Sequence, residues 1–474
     1  MRPLPETADL ASAGTASRPT RVARADLSCL AGLLLALGVG LVLAAVARRC
    51  GDLFGPLRGW RIAASAGLCC LALGALAPQR AAEYLGRRQR GDGPIGLGRG
   101  DDLRLLWSLQ GLVCLLAGVA LAVVPFTLSL LEWVYVWLRG EFLWSSRPRF
   151  ALEWGLTAMV LFPALSLPGL ALSCTCRLAG DRQRWRVGPM GWALVGVGLG
   201  LGISVLLDRR GWGGSASAPL AAVPVLLVSV ISAQSLGSRS HRARDGHEAH
   251  PLPLVPERRD RWPVLMRGSA AWLAAASAAL PVIWLNAVGH WSWPGGAAGG
   301  LVLMLVPSAI GLGLLLGERS KSSAAPSVAG LGLACAAAGL VLAAAMAAPA
   351  AWQVCGWSAR IPTGVLVAAG CVAGLAIGYA LAYAHLAVLC RVGSRSVGGV
   401  GLLALSLATA SAVLLLVGSE PASGKSTYAT AAAIALSLLG LGGIHIIHEP
   451  DYAPHTRRQR LVAVFTAVVV LGSV

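Results

Sequence analysis

Residues 24–49 read RADLSCLAGLLLALGVGLVLAAVARR, in which Leu27–Ala47 are twenty-one residues without a charge, bracketed by Asp26 and by Arg48-Arg49. A membrane-spanning helix needs about 20 apolar residues to cross a hydrocarbon layer of about 30 Å. A secretory leader has a shorter apolar core, about 7–15 residues, so this run is assigned to an uncleaved first span despite the small residues Ala45-Val46-Ala47 at its end. Similar runs recur at 60–78, 104–124, 151–174, 189–207 and 219–236, and again at 269–288, 299–317, 328–348, 363–389, 399–417 and 428–447. The expected fold is therefore an all-α, polytopic membrane helical bundle of about 12 transmembrane helices. A membrane β-barrel is excluded, because it needs segments of about 10 residues alternating apolar and polar, and these runs do not alternate.

Composition agrees. The 474-residue chain is 56% hydrophobic and 13% charged, about half the charged fraction of a soluble domain. Its net charge of +18 comes from 39 basic and 21 acidic residues. A basic chain can signal nucleic acid, but here the arginines stand in short loops between spans, so no nucleic-acid partner is expected; the lipid bilayer is. Arginine far exceeds lysine, with Lys321 and Lys425 the only lysines, a usage that suits a GC-rich bacterial genome.

The loops orient the chain. With the N-terminus inside and twelve crossings, inside segments hold 28 of the 39 Lys and Arg and outside segments hold 11. The positive-inside rule then places both termini in the cytoplasm, with the chain in the bacterial inner membrane. Residues 1–26 are a polar, disordered tail. Residues 27–236 form one six-helix half, 237–268 a basic linker with seven arginines and three histidines, and 269–448 a second half. Residues 449–474 are a cytoplasmic tail ending in the apolar stretch Leu461–Val474. A soluble or membrane protein could dock on the cytoplasmic loops. Six spans per half is an even number, so any repeat is parallel, as in major-facilitator transporters. Cys176-Arg177 with the glycines after it and Cys390-Arg391 with Gly398–Gly401 carry a faint internal similarity. The tryptophan-rich segment Phe126–Arg149, with Trp133 and Trp137, is expected to lie on the outer membrane interface, where Trp and Tyr anchor.

Chemistry-bearing residues are sparse. Gly418–Ser426 has five residues between its glycines where a P-loop needs four, with no strand before it, so no cofactor is assigned. Intramembrane polar groups are the default functional candidates. They are His385, Tyr379 and Tyr383 in the tenth run, Gln110 in the third, Gln234 in the sixth and Asn286 in the seventh, proposed as substrate-binding residues. His445, His448 and Glu449 have spacing compatible with a metal site at the end of the twelfth run. No run holds a central carboxylate. The eleven scattered cysteines read as small packing residues. No enzyme activity is expected.

The stretch Leu161–Gly202 carries one resemblance. Pro163, Pro168 and Gly169 precede the basic loop Arg177–Arg186 and the glycine-rich run Gly188–Gly202. This pattern resembles the major-facilitator-like membrane portion of bacterial fused spermidine-synthase-like proteins. The match covers about a tenth of the chain. A Glu-x-x-Trp-x-Arg is absent near the first span, and Glu132–Arg139 is only similar. Ala81–Arg90 keeps Gly86-Arg87-Arg88 without the family's Asp-Arg. No catalytic domain follows, so the resemblance implies the membrane architecture and not the aminopropyltransferase activity. The functional expectation is a transporter-like protein with a small solute between its halves. The alternatives are a non-transporting anchor or regulatory module for a soluble partner, and a membrane enzyme acting on a lipid-linked substrate.

Overall fold

The computed structural model describes residues 18–89, 99–142, 146–179, 188–210, 213–237, 262–291, 297–320, 328–354, 363–392, 403–413 and 424–447. These form α1 (Arg18–Phe54), α2 (Pro56–Gln89), α3 (Arg99–Phe142), α4 (Ser146–Ala179), α5 (Gly188–Arg209) and α6 (Gly213–Gly237). They continue as α7 (Trp262–Trp291), α8 (Ala297–Ser320), α9 (Val328–Val354), α10 (Thr363–Val392), α11 (Leu403–Val413) and α12 (Gly424–Ile447). No strand occurs among the described residues.

Nine of the described helices are long and apolar enough to cross a membrane, while α6, α11 and α12 carry the shorter apolar stretches Pro219–Ser235, Leu403–Val413 and Ala431–Ile446. The molecular surface is apolar to match. Leu112, Val119, Phe126, Leu130 and Trp133 are all exposed along α3, and Val223, Leu227 and Val230 along α6. A soluble monomer rarely exposes so continuous an apolar face. A helix in lipid needs it, since its backbone hydrogen bonds are satisfied internally and its side chains meet acyl chains.

Successive helices run in opposite directions, and the side-chain links record it. At the end where α1 finishes, here the far end, the C-terminal part of α1 meets those of α3 and α5 through Arg49–Glu132 and Arg48–Asp208. The N-terminal part of α2 meets that of α4 at the same end through Arg58–Glu153. At the opposite, near end, Ser269 on the first turns of α7 stands 2.7 Å from His445 on the last turns of α12. The α1–α2 connection is one residue long. Gly55, at φ 97°, closes α1 in a left-handed conformation that costs other residues more, and Pro56 opens α2, where its missing N–H costs nothing.

Packing follows a recurring scheme. In the first six helices α2 packs on α4, α3 on α6 and α4, and α1 on α2, α4, α5 and α6. In the second six, α8 packs on α10, α9 on α12 and α10, and α7 on α8, α10 and α12. One large core is drawn from α1–α4 and α6, and the other mainly from α7–α12. Between the sets, α5 packs on α8, and Ser411 of α11 donates to the Ser65 carbonyl of α2 at 2.8 Å. Glycine permits the tightest of these approaches. A Cβ on Gly200 of α5 would run into the backbone of Leu37 and Gly40 on α1, and one on Gly311 of α8 would run into Gly191 and Val195 of α5. Membrane helices, which have no hydrophobic driving force between them, associate through such small-residue contacts.

Two features depart from the sequence reading. The tryptophan-rich segment does not leave the third span to lie on the membrane. Helix α3 continues unbroken through Pro125 to Phe142, because Leu128, Leu131 and Tyr135 are buried against neighbouring helices and Glu132 is tied to Arg49. Trp133 and Trp137 remain exposed on its outer face. The helices also outrun the apolar runs that announced them: α4 begins at Ser146, with Arg149 and Glu153 already inside it.

Candidate functional site

The densest polar assembly among the described residues lies at the far end of α1–α4. Its centre is Glu153, fully buried on the second turn of α4. Arg149, one turn earlier on the same face, donates from Nε to Glu153 Oε1 at 2.9 Å. Tyr135 of α3 donates its hydroxyl to the same oxygen at 3.1 Å and accepts from Arg149 Nη2 at 3.3 Å. The second oxygen, Oε2, pairs with Arg58 Nη2 of α2 at 2.7 Å. The Arg58 guanidinium also lies 5.7 Å from the Phe150 ring centroid, a cation–π distance. Phe54 meets Tyr135 edge-on at 4.8 Å.

Local sequence explains why these groups converge. Arg149 and Glu153 are four apart, so a helix sets them on one face. The tight Gly55-Pro56 turn sets Arg58 beside the end of α1, and the extended α3 carries Tyr135 to that level. A carboxylate in so little water is tolerated only when paired and hydrogen-bonded; Arg149 and Tyr135 hydrogen-bond one oxygen, and Arg58 pairs with the other. With both oxygens engaged, Glu153 ties α2, α3 and α4 together. It is not left free as a general acid or a metal ligand.

A second chain of contacts leads from this centre to the other set of helices. Trp154 Nε1 donates to Ser65 Oγ at 3.0 Å, Ser65 Oγ donates to the Ile62 carbonyl at 3.2 Å, and Ser411 of α11 reaches the Ser65 carbonyl. Thr157 Oγ1 donates to the Glu153 carbonyl at 2.8 Å and lies 3.6 Å from Cys50 Sγ of α1. Arg61, one turn beyond Arg58, is buried at 6% exposure.

The residues named from sequence are dispersed. His385 is buried on α10, and its Nδ1–H donates to the Leu381 carbonyl at 2.9 Å, while Nε2 is buried without a hydrogen bond. Tyr379 and Tyr383, four apart, share one face of that helix, and His385 lies on another. At about 100° per residue, His385 is turned about 200° from Tyr383, so the three do not converge. Gln110 is fully buried and donates to Thr175 Oγ1 of α4 at 2.8 Å, a single interhelical tie. Gln234 is exposed on the outer surface of α6, away from any interior site. Asn286 lies on the last turns of α7. His445 is buried against Ser269, while His448 and Glu449 lie outside the described residues. Among the described residues no group of three or more His, Cys, Asp or Glu stands ready to hold a metal ion.

No protein-family model matches the chain, and no curated protein does.

Proposed function

We propose that the chain is a transporter-like protein of the bacterial inner membrane, with both termini cytoplasmic and a small solute taken between two six-helix halves. The observation that supports this is the recurrence of helix partners at an offset of six. The pairs α2–α4, α3–α6, α3–α4, α1–α4 and α1–α6 return as α8–α10, α9–α12, α9–α10, α7–α10 and α7–α12. Two of the links between the sets, α5–α8 and α2–α11, exchange under the same offset. That is the pattern expected of two parallel repeats facing each other across an axis along the membrane normal, the arrangement in which transporters bind solute near the midplane and rock about it. The scheme also agrees with the architecture implied by the resemblance to fused spermidine-synthase-like membrane portions, without giving this chain their enzymatic activity.

Within this reading His385 is the candidate solute contact. Its Nδ1–H is committed to a backbone carbonyl, so its buried Nε2 offers an acceptor to a hydroxyl or amine. Gln110 serves the first half as a structural tie. The experiment is uptake into proteoliposomes of the purified full chain, screened against mixed sugars, amines, carboxylates and nucleosides. Saturable uptake that falls at least tenfold in His385→Leu and recovers in His385→Gln supports the reading. No uptake or binding of any class counts against it.

A further inference from the structure

Apart from the two large cores, the molecule holds a third, small apolar cluster, and it alone is built evenly from both sets of helices. Ala44 of α1 and Leu201 of α5 meet Leu285 of α7 and Leu303 of α8, with Trp60, Val197 and Leu43 packed against them. All four central side chains are buried. Their level is defined by what surrounds them. Ala44 is one turn inward of Arg48, and Leu201 two turns inward of Asp208, the residue with which Arg48 pairs. Leu285 lies nearly two turns before the end of α7 at Trp291, and Leu303 lies one turn inside the apolar stretch of α8. The cluster therefore sits just beneath the charged rim of the far end. On the other side of the bundle at this end, the described residues of the two sets are joined by a polar contact, the Ser411–Ser65 hydrogen bond.

The two ends are joined differently. Toward the near end, Ala75, Cys176 and Met190 of the first set are absorbed into the large core of the second, so separation there would open a main core. Among the described residues, separation at the far end breaks the small cluster, the packing of α5 on α8 where Val205 meets Gly300, and one hydrogen bond, and leaves both large cores closed. The ion pairs of the far end, Arg48–Asp208, Arg49–Glu132 and Arg58–Glu153–Arg149, all join helices of the first set to one another. They hold that set as a unit and do not oppose its parting from the second.

We infer that Ala44, Leu201, Leu285 and Leu303 form an apolar seal at the far end, the gate through which solute reaches the space between the halves. This inference rests on the transporter reading. A ring of apolar side chains closes a pathway by excluding water, and a charged group placed in it lets water in. Leu285 is the decisive position, since α7 carries it into the cluster from the second set, nearly two turns below the helix end at Trp291.

The test uses the full chain in lipid nanodiscs, with spin labels on genetically encoded ketone side chains so that the native cysteines stay in place. One pair reports the far end, at Asp52 and Val365, and another the near end, at Ala233 and Leu316, all four exposed. In the unmodified background the far-end pair is expected mainly at its short distance. Leu285→Asp is expected to raise the long-distance population at least threefold, with the near-end pair moving the opposite way, while Leu285→Met leaves both as they were. If the aspartate variant does not fold, Leu303→Ala and Trp60→Ala are expected to produce the same shift in smaller measure. Two populations that ignore all these changes would overturn the seal and leave the transporter reading standing. A single unchanging distance at both ends in every variant would overturn both.

Discussion

Arg58 on α2 and Glu153 on α4 stand 2.7 Å apart, 95 positions apart in sequence, with the carboxylate wholly buried and the guanidinium side chain 34% exposed. The asymmetry sets the consequence of removing either partner. Losing Arg58 leaves Glu153 its bonds from Arg149 and Tyr135. Losing Glu153 leaves two arginines and a tyrosine hydroxyl facing one another without the charge that gathered them. Glu153→Ala is expected to destabilise the fold by about 2–3 kcal/mol, somewhat under the roughly 3–5 kcal/mol of a pair buried on both sides, because Arg58 and Arg149 retain access to water. Arg58→Ala should cost less. Thermal unfolding in detergent of the two single variants and the double variant checks this; equal losses from both singles would contradict the order.

The glycines divide by what stands opposite them. Gly200 abuts the backbone of α1, whereas Gly155 on α4 has nothing within 4 Å of the place its Cβ would occupy. Gly200→Ala is expected to destabilise by about 1–3 kcal/mol through overpacking. Gly155→Ala is expected to stabilise by about 0.5–1 kcal/mol, since it only relieves glycine's poor helix propensity. Unfolding by a denaturing detergent, titrated against a mild one, reads both; a stable Gly200→Ala protein would mean that α1 and α5 do not approach so closely.

Gln110 and Thr175 join α3 to α4 by one hydrogen bond within the first set. Hydrogen bonds between membrane helices contribute about 0.6 kcal/mol on average, so Gln110→Leu should change stability by about that amount and leave solute uptake untouched. A large loss of uptake at unchanged stability would promote Gln110 from tie to solute contact.

Much of the fold was readable in the chain. Each described helix overlaps one of the apolar runs, because a backbone crossing lipid has no alternative to helix and its side chains must be apolar over the whole crossing. The arginine count also carried information beyond orientation. In the orientation expected from sequence, Arg48, Arg49, Arg58 and Arg149 are exceptions to the rule, and each pairs with Asp208, Glu132 or Glu153. The site itself was hidden. Glu153 reads as an ordinary charge at the head of a span, and only the extension of α3 past Pro125 brings Tyr135 to it. That extension is decided by burial of alternate turns against other helices, which a local reading of Pro125 and three tryptophans does not contain. The histidine and tyrosines of α10 looked like a group because they are near in sequence, yet helical phase turns the histidine away from the tyrosines.

The orientation has its own check. With inside segments carrying 28 of 39 basic residues, an alkaline phosphatase fused after Arg210 is expected to be active and one fused after Arg244 inactive. The reverse pattern would invert the molecule and place the far-end arginines in the cytoplasm.

Transport of the proposed kind requires the two sets of six helices to move against each other. The most direct measurement is the pair of spin-label distances, far end and near end, in the unmodified chain in lipid nanodiscs, taken with and without the solute mixtures used for uptake. Two populations are expected at each end, with proportions that shift in opposite directions as solute is added. One narrow distance at each end, unchanged under every condition, would contradict the transporter reading.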